Sequence, residues 1–503
     1  MVNYIQGKSC PSITRRNETR GYFIEMADTG NLILTKTEFM RYLEAPMHLW
    51  AEKHSVVEMQ PSSYELHTME QGKEIHSLAK AFLKSHLLAQ NPNLQITTEQ
   101  THTDGPFLNR ADMLVFDPEA EEFDLYEIKS SSSVKTEHKY DVAFQALVCE
   151  ANIPLRNAYL VHVNKEYVKD GEFDLAQFFV IEDLRADVEK LREEVASTRE
   201  DALRVASNPT SQGIAECLKP KECICPKFCH PDLPEYSIFD LPRLHKNKAT
   251  QLKSLGVSAL LDIPLDFKLT DPQSRILAAV KNGAPLIDHK AINAELERLE
   301  YPLYFLDYES YNPAVPLFDG YKPYQHIVFQ YSLHVIEEER KEIKHIEYLD
   351  TGPDDPAPRV VEHLAKHLGR TGTVIVWYRP FEATRNTEMA ERNPQHTEYL
   401  LGINDRIFDL MEIVSKGHYV HPDFHGSASI KDVLPVLANE YDQRYKQLAV
   451  SNGQDAMLAW MQIMSGSLKQ EEIEISRQNL VSYCELDTMA MIRIYEALVA
   501  LGK

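Results

Sequence analysis

The sequence predicts an α/β chain of several domains. Three observations carry that expectation. At 503 residues the chain is long enough for two or three cores. Strand-like apolar runs alternate with helical runs in two separate stretches, residues 108–164 and 296–380, as a mixed α/β core requires. Each stretch also carries acidic residues beside its strand-like runs: Asp112 and Glu127 in the first, Asp307 and Glu309 in the second.

Taken in order, residues 1–30 read as an irregular extension with basic spots at Arg15, Arg16 and Arg20. From Leu34 to Leu88 the pattern is mainly helical. Strands are expected at Met113–Phe116, Phe123–Ile128 and Ala158–Val163, with a helix around Val142–Ala151. Leu184, Val188, Leu191, Val195, Ala202 and Val205 recur at helical spacing, and packing on its own domain is expected rather than a coiled coil, which needs more heptads. Asn208-Pro209 ends that helix. A cysteine cluster follows, which completes a first domain over residues 31–230. Residues 231–295 read as a small helical module, in which Leu252–Leu260 resembles one half of a helix–hairpin–helix. Between Cys217 and Lys253 the residues Lys219, Lys221, Lys227, Arg243, Lys246, Lys248 and Lys253 outnumber the acids. That stretch is a candidate for phosphate contact, with a solvated helix face as the alternative. Residues 296–503 then read as strands at Tyr304–Tyr308, Ile327–Ile336 and Ile343–Leu349, a helix at Arg359–Leu368, a strand at Val374–Tyr378 and a helical remainder. Three strands in succession, then alternating helix and strand, suit a ribonuclease-H-like sheet.

The formal charge of −23 opposes approach to phosphate, so any nucleic-acid path is expected along local basic stretches. No run reaches the length of a membrane span, and MVNYIQGKSCPSITRR lacks the apolar core of a secretory signal. A cytoplasmic location without membrane contact is the expectation. Four of the seven cysteines, Cys217, Cys223, Cys225 and Cys229, crowd together; in such a chain this reads as metal or iron–sulfur ligation rather than disulfides.

The chemistry-bearing motifs fall into two sets. In the second, Tyr304–Glu309 is an apolar run ending in Asp-x-Glu, and Tyr483-Cys484-Glu485-Leu486-Asp487 supplies Tyr-x-x-x-Asp on a helix. Alternate carboxylates on a strand, with a third on a helix, can hold two divalent cations. The pair resembles the DnaQ-like, tyrosine-type 3′–5′ exonucleases. The resemblance implies Asp307, Glu309, Glu382 and Asp487 as metal ligands, with Glu382 standing where that family has Asp, and Tyr483 orienting or deprotonating the water. Asp409 is a reserve acid, with a structural role as its alternative.

In the first set, His76 lies on a helix, Asn109-Arg110-Ala111-Asp112 opens a strand, Tyr126-Glu127-Ile128-Lys129 ends the next, and Gln145 sits on the following helix. This order resembles the PD-(D/E)XK nucleases, in particular their RecB-like and CRISPR-adaptation branch. The resemblance implies that Asp112, Glu127 and His76 bind Mg2+ or Mn2+, and that Lys129 orients water and offsets phosphate charge. Cys149 stands where that branch has Tyr after Gln145. The branch often carries a four-cysteine 4Fe–4S cluster. Cys217, Cys223 and Cys229 match its trailing ligands, while Ala45 stands where the leading cysteine belongs; Cys225, Cys10 or His230 are the substitutes. Zn2+ on Cys217, Cys223, Cys225 and Cys229 is the rival, with reduced free thiols a third alternative.

Residues 30–500 as a whole resemble a bacterial family that fuses a RecB-like nuclease to a DnaQ-like exonuclease. Pro323–His334 and Gly426–Pro435 are further matches, in which Gln330, His334 and Lys431 are candidates to line the substrate groove. The function expected is metal-dependent hydrolysis of DNA at two sites, 3′–5′ exonucleolytic at the C-terminal one and endo- or exonucleolytic at the N-terminal one, in DNA repair or anti-phage defence. An RNA exonuclease is one alternative. A nucleic-acid-binding scaffold with partly degenerate sites is the other.

Overall fold

A computed structural model describes residues 32–57 and 60–502. Cys10 and the basic positions Arg15, Arg16 and Arg20 lie outside the described residues. The chain is a mixed α/β protein of several units, with two large sheets and one two-stranded ladder. No helix among the described residues is long and apolar enough to cross a membrane.

The N-terminal sheet contains β1 (Leu34–Thr35), β2 (Gln95–Asp104), β3 (Phe107–Asp117), β4 (Glu122–Lys129), β5 (Leu155–Val163) and β6 (Phe179–Asp183), in the order β1–β3–β4–β5–β6 with β2 also on β3. The β3–β4 pair is antiparallel and β4–β5 parallel. The helix Thr136–Glu150 makes the parallel crossover between β4 and β5. The helix Arg185–Ser207 lies on it, burying Val188, Val195, Ala202 and Ala206 in the core of its own unit. The opposite face is covered by the helix Ser63–Gln90, through Ile75, Ala79, Phe82 and Leu83. That helix starts on a capping box in which Ser62 and Glu65 exchange side-chain-to-backbone hydrogen bonds.

The linking module is built on the helices Lys246–Ser254 and Asp271–Asn282 around Leu252, Leu260, Ile276 and Ala279. Its short strand β7 (Leu286–Ile287) pairs with β13 (Tyr419–Val420) of the C-terminal unit. The helix His289–Leu296, grouped with the module on sequence, instead buries Ile292 in the C-terminal core.

The C-terminal sheet has the order β10–β9–β8–β11–β12: β8 (Leu303–Tyr311), β9 (Ile327–Ile336), β10 (Ile343–Leu349), β11 (Thr373–Val376) and β12 (Ile407–Asp409). The first three strands are antiparallel neighbours, and β11 and β12 run parallel to β8. The β8 side chains alternate as its period of two demands. Leu303 and Phe305 pack toward the helix Gln470–Gly502, while Tyr304, Leu306 and Tyr308 pack on the other face, toward the helix Ala357–His367.

The connection between β8 and β9 leaves its own unit. Ala314 is buried in the N-terminal core, and its N–H donates to Gln71 Oε1 at 2.8 Å. The Tyr324 hydroxyl donates to the carbonyl of Ser130. Gly320 N–H donates to the Lys169 carbonyl at 2.7 Å, and Asp319 pairs with the Lys169 ammonium.

Candidate active sites and metal centre

In the C-terminal unit, alternation on β8 puts Asp307 and Glu309 on the face met by the helix Gln470–Gly502. A β-bulge follows Glu309, where a strand re-aims its side chains. One turn of that helix separates Tyr483 from Asp487, and this is the turn lying against Asp307. Asp307 and Glu309 place carboxylate oxygens within 4.8 Å of each other and of the Cys484 thiol. The Cys484 sulfur is 3.7 Å from Asp307 Oδ2. Glu382 is in the first turn of the helix Arg379–Arg392, directly after β11, and is 4% exposed. Its charge reaches both Asp307 and Glu309.

Burial raises the pKa of Asp307 well above the carboxylate range, and the charges of Asp487, Glu309 and Glu382 add to it. Burial acts likewise on Glu309, reinforced by Asp487 and Glu382. Glu382 is pushed up to about 8, mainly by burial. Asp487 is pushed up to about 6 by burial, against hydrogen bonds from Tyr445 and Tyr483 that favour its charged form. Among the described residues the cations acting on this set are Lys431, on Asp487, and Arg385, on Glu382. Burial, and after it the Asp487 charge, hold the Tyr483 phenol far above its ordinary value.

A cavity of ≈ 610 Å³ opens on Glu309, with Lys431, His326 and Phe381 in its wall. The His326 imidazole is lowered to about 4 by burial and then by Arg385, and its Nδ1 lies 2.8 Å from the Ser310 hydroxyl. Asp409 is occupied elsewhere. Its two oxygens accept the N–H groups of Arg379, at 3.0 Å, and Met411, at 3.1 Å, so it caps the helix that carries Glu382. Of the expected groove residues, Lys431 lines the cavity, while Gln330 and His334 do not. Gln330 is fully buried and donates to the Leu480 carbonyl at 2.9 Å. His334 is 1% exposed and bonds the Thr488 hydroxyl at 2.7 Å. Both strand positions face the long helix, so packing takes these side chains away from solvent.

In the N-terminal unit, Asp112, Glu127, Lys129 and Gln145 converge at the β3–β4 edge and the crossover helix. Asp112 Oδ2 accepts the Ile128 N–H at 2.9 Å, and its Oδ1 faces His76 Nδ1 at 3.8 Å. Two ammonium groups hold one oxygen of Glu127: Lys129 at 2.7 Å and Lys36 at 2.7 Å. Lys129 also pairs with Asp141, which accepts the Gln145 amide at 2.8 Å. Burial pushes Glu127 upward, but Lys36 and Lys129 overcome it and hold the carboxyl below its usual range. Asp112 is raised to about 7, by burial first and then by the Glu127 charge. His76 is lowered by burial, which keeps it neutral. Cys149, one turn beyond Gln145, is buried beneath Asn109 Nδ2 at 3.5 Å.

Sequence reasoning missed Lys36 and Asp141. Lys36 follows β1, which the parallel pairing of Leu34 and Thr35 with Phe107 and Leu108 brings beside β3. Asp141 carried a readable signal, since it lies one helical turn before Gln145.

The cysteines gather beside the helix Pro46–Lys53. Two overlapping donor sets have all their atoms within 4.8 Å of one another: His48, Cys223, Cys225, Cys229, and Cys217, Cys223, Cys229, His230. Cys217 Sγ lies 3.2 Å from His230 Nε2, Cys223 Sγ 3.5 Å from His48 Nε2, and Cys225 Sγ 3.6 Å from Cys229 Sγ. Ala45 is buried in the same cluster. His48, three residues on, is the ligand type that reaches the thiols from this helix, and sequence reasoning passed over it.

Residues 304–429 match the model of a family described as Domain of unknown function (DUF2779). The chain is 28% identical over 283 residues to "Uncharacterized protein UU173" of Ureaplasma parvum, covering 52% of this chain and 40% of the relative. It is 26% identical over 218 residues to "Uncharacterized protein MG366 homolog" of Mycoplasma pneumoniae, covering 39% and 32%. The chain thus spans less than half the length of either curated relative. A solved structure, "Crystal structure of SSO0001", aligns with 42% of this chain and 91% of its own, at 14% identity and a TM-score of 0.25, which carries no argument about fold.

Proposed function

We propose that the chain is a metal-dependent nuclease with two sites, which hydrolyses phosphodiester bonds of DNA: a 3′–5′ exonuclease at the C-terminal site and an endo- or exonuclease at the N-terminal site. One observation carries the reading. Asp307, Glu309, Glu382 and Asp487 gather beside an open cavity with little cationic compensation. Buried carboxylates are otherwise paired or protonated. A set left so short of positive charge fits hard divalent cations, Mg2+ or Mn2+, which take oxygen ligands. Glu382 Oε2, buried without a hydrogen-bond partner, supports the fit. The strand order of the C-terminal sheet, three antiparallel then two parallel, supports a ribonuclease-H-like domain of the DnaQ type. The β3–β4 pair with Asp112, Glu127 and Lys129, followed by the crossover helix, supports a PD-(D/E)XK domain.

At the C-terminal site Asp307, Glu309, Glu382 and Asp487 would hold the cations. Bound there, divalent cations polarise the phosphodiester and make water a better nucleophile. The residues of the chain do the rest. The Tyr445 hydroxyl donates to Asp487 Oδ1 and fixes that carboxylate. Tyr483, held as a phenol, donates from the same helix. Lys431, in the cavity wall, offsets phosphate charge. At the N-terminal site Asp112, Glu127 and neutral His76 would hold the ion. Glu127 Oε2 has no hydrogen-bond partner, and Asp112 Oδ1 faces His76 across a gap too long for a hydrogen bond. Lys129 and Lys36 supply positive charge beside these ligands.

Either of the two overlapping Cys/His sets has the four donors of one tetrahedral ion. With bonds of roughly 2.3 Å to sulfur, the edge of a tetrahedron is roughly 3.8 Å, close to the 3.6 Å between Cys225 and Cys229. A 4Fe–4S cluster, implied by the family resemblance, puts each thiolate on a different iron and spreads them farther. Zinc is the ion that this donor set favours.

The test uses end-labelled single-stranded and duplex DNA and RNA with Mg2+, Mn2+ or EDTA. Asp307→Asn should abolish nucleotide release from 3′ ends and spare cleavage by the N-terminal site; Lys129→Ala should do the reverse. Cleavage patterns unchanged in both variants on every substrate would overturn the two-site reading.

A further inference from the structure

The cavity beside Glu309 has one wall that the C-terminal unit does not make. Tyr64, on the helix Ser63–Gln90 of the N-terminal unit, lines it together with Phe381, Lys431, His326 and Asn452. We infer that Tyr64 is a stacking platform for the base of the 3′-terminal nucleotide of a single strand, so that the N-terminal unit completes the C-terminal site. The inference rests on the nuclease reading and deepens it.

The position of Tyr64 is fixed from several sides. The capping box of Ser62 and Glu65 sets the first turn of its helix. One turn on, the His67 ring lies 6.0 Å from that of Tyr311. Two turns on, Gln71 accepts the Ala314 N–H. Tyr64 itself packs at the margin of the cluster of Tyr311, Met457 and Trp460 and stays only half-buried. An aromatic ring held in place yet open to a polar cavity is what base stacking uses, because every base has a π face whatever its sequence.

The rest of the cavity has matching chemistry. Phe381 is a second aromatic, braced edge-on by His326 at 5.6 Å and by the Arg385 guanidinium at 5.0 Å. Lys431 supplies a cation for phosphate, and the Gln454 amide supplies donors and acceptors for base edges, while Asn452 is taken up in capping its own helix through Asp455. The volume of ≈ 610 Å³ is that of a small-molecule site and is enough for one unpaired terminal nucleotide. On the same helix, His76 is twelve residues from Tyr64, a rise of roughly 18 Å. One rigid element therefore carries a group of each site.

The test is the affinity of the full chain for a 5′-fluorescein single-stranded DNA in Ca2+, by anisotropy, with a normal or an abasic 3′-terminal nucleotide. Tyr64→Ala should weaken binding of the normal end about tenfold and leave the abasic end unchanged. Tyr64→Phe should stay within about twofold, since the ring and not the hydroxyl stacks. Tyr64 also packs at the margin of a buried cluster, so the melting temperature of each variant is measured beside its affinity, and the unchanged abasic end reports an intact site. Equal affinity of wild type and Tyr64→Ala for the normal end would overturn the inference, as would an equal loss on both ends. Release of 3′ nucleotides in Mg2+ is scored separately. Wild-type chain that binds in this Tyr64-dependent way but releases nothing would overturn hydrolysis and keep the platform.

Discussion

Replacing Glu382 with glutamine should make the metal-free protein more stable while disabling it. Glu382 is 4% exposed, and its Oε2 has no hydrogen-bond partner. Burial foremost, and the Asp409 charge after it, push its carboxyl from an ordinary 4.5 up to about 8. The folded chain therefore binds a proton that the unfolded chain has released. Stability contributed by this group is intact below pH 4.5 and falls as pH rises toward 8. At pH 7 the loss is about 3 kcal/mol, from 2.5 pH units at about 1.36 kcal/mol each. Glutamine cannot ionise, keeps the shape and offers N–H donors to neighbouring carboxylates. Glu382→Gln should match wild type at pH 4.5 and exceed it by about 3 kcal/mol at pH 7 in EDTA. That is a rise in Tm of about 6 °C or more for a unit of about 200 residues. Mn2+ should close the gap, because an ion at about 100 times its Kd stabilises wild type by about 2.7 kcal/mol and gains less from the amide. The assay is thermal melting from pH 4.5 to 8, with and without Mn2+, beside 3′ nucleotide release. A gap that is the same at both ends of the pH range, or a variant less stable than wild type at pH 7 in EDTA, would refute the reasoning.

Two further outcomes follow from the structure. Cys229→Ser removes a donor common to both Cys/His sets; it should lose the bound ion and lower the melting temperature of the N-terminal unit, and metal analysis of the wild type should give one zinc per chain, whereas four irons with sulfide would restore the cluster. Gly426 has φ +69°, and an added Cβ would lie 1.7 Å from the Asp240 carbonyl oxygen, so Gly426→Ala should cost about 1–3 kcal/mol in strain alone and loosen the linking module, read as faster proteolysis within residues 231–287.

What was legible in the sequence divides along a physical line. The strands β8 and β9 are legible because they are long runs dense in apolar and aromatic residues, buried on both faces of the sheet. β2 is not, because Gln95, Thr97, Glu99, Thr101 and Thr103 face solvent and leave no apolar alternation to detect. The pairing of Asp307 with Glu309 and of Tyr483 with Asp487 is legible, since a strand's period and a helix's turn fix neighbours within a few residues, while Asp141 was passed over although it lies one turn before Gln145. Lys36, His48 and Tyr64 are not legible, because each enters its site from an element far away in sequence. Lys36 arrives through a two-residue parallel pairing, His48 through a helix packed on the cysteines, and Tyr64 through a helix shared by the two units. The β8–β9 connection makes the same point at the level of the whole molecule. It leaves β8 just beyond Glu309, buries Ala314 in the N-terminal core, bonds Tyr324 to the carbonyl next to Lys129, and returns at His326 to the C-terminal cavity. A segment tied to both candidate sites makes their separation and relative orientation a property of the folded chain, so the two clusters are positioned by the same few contacts.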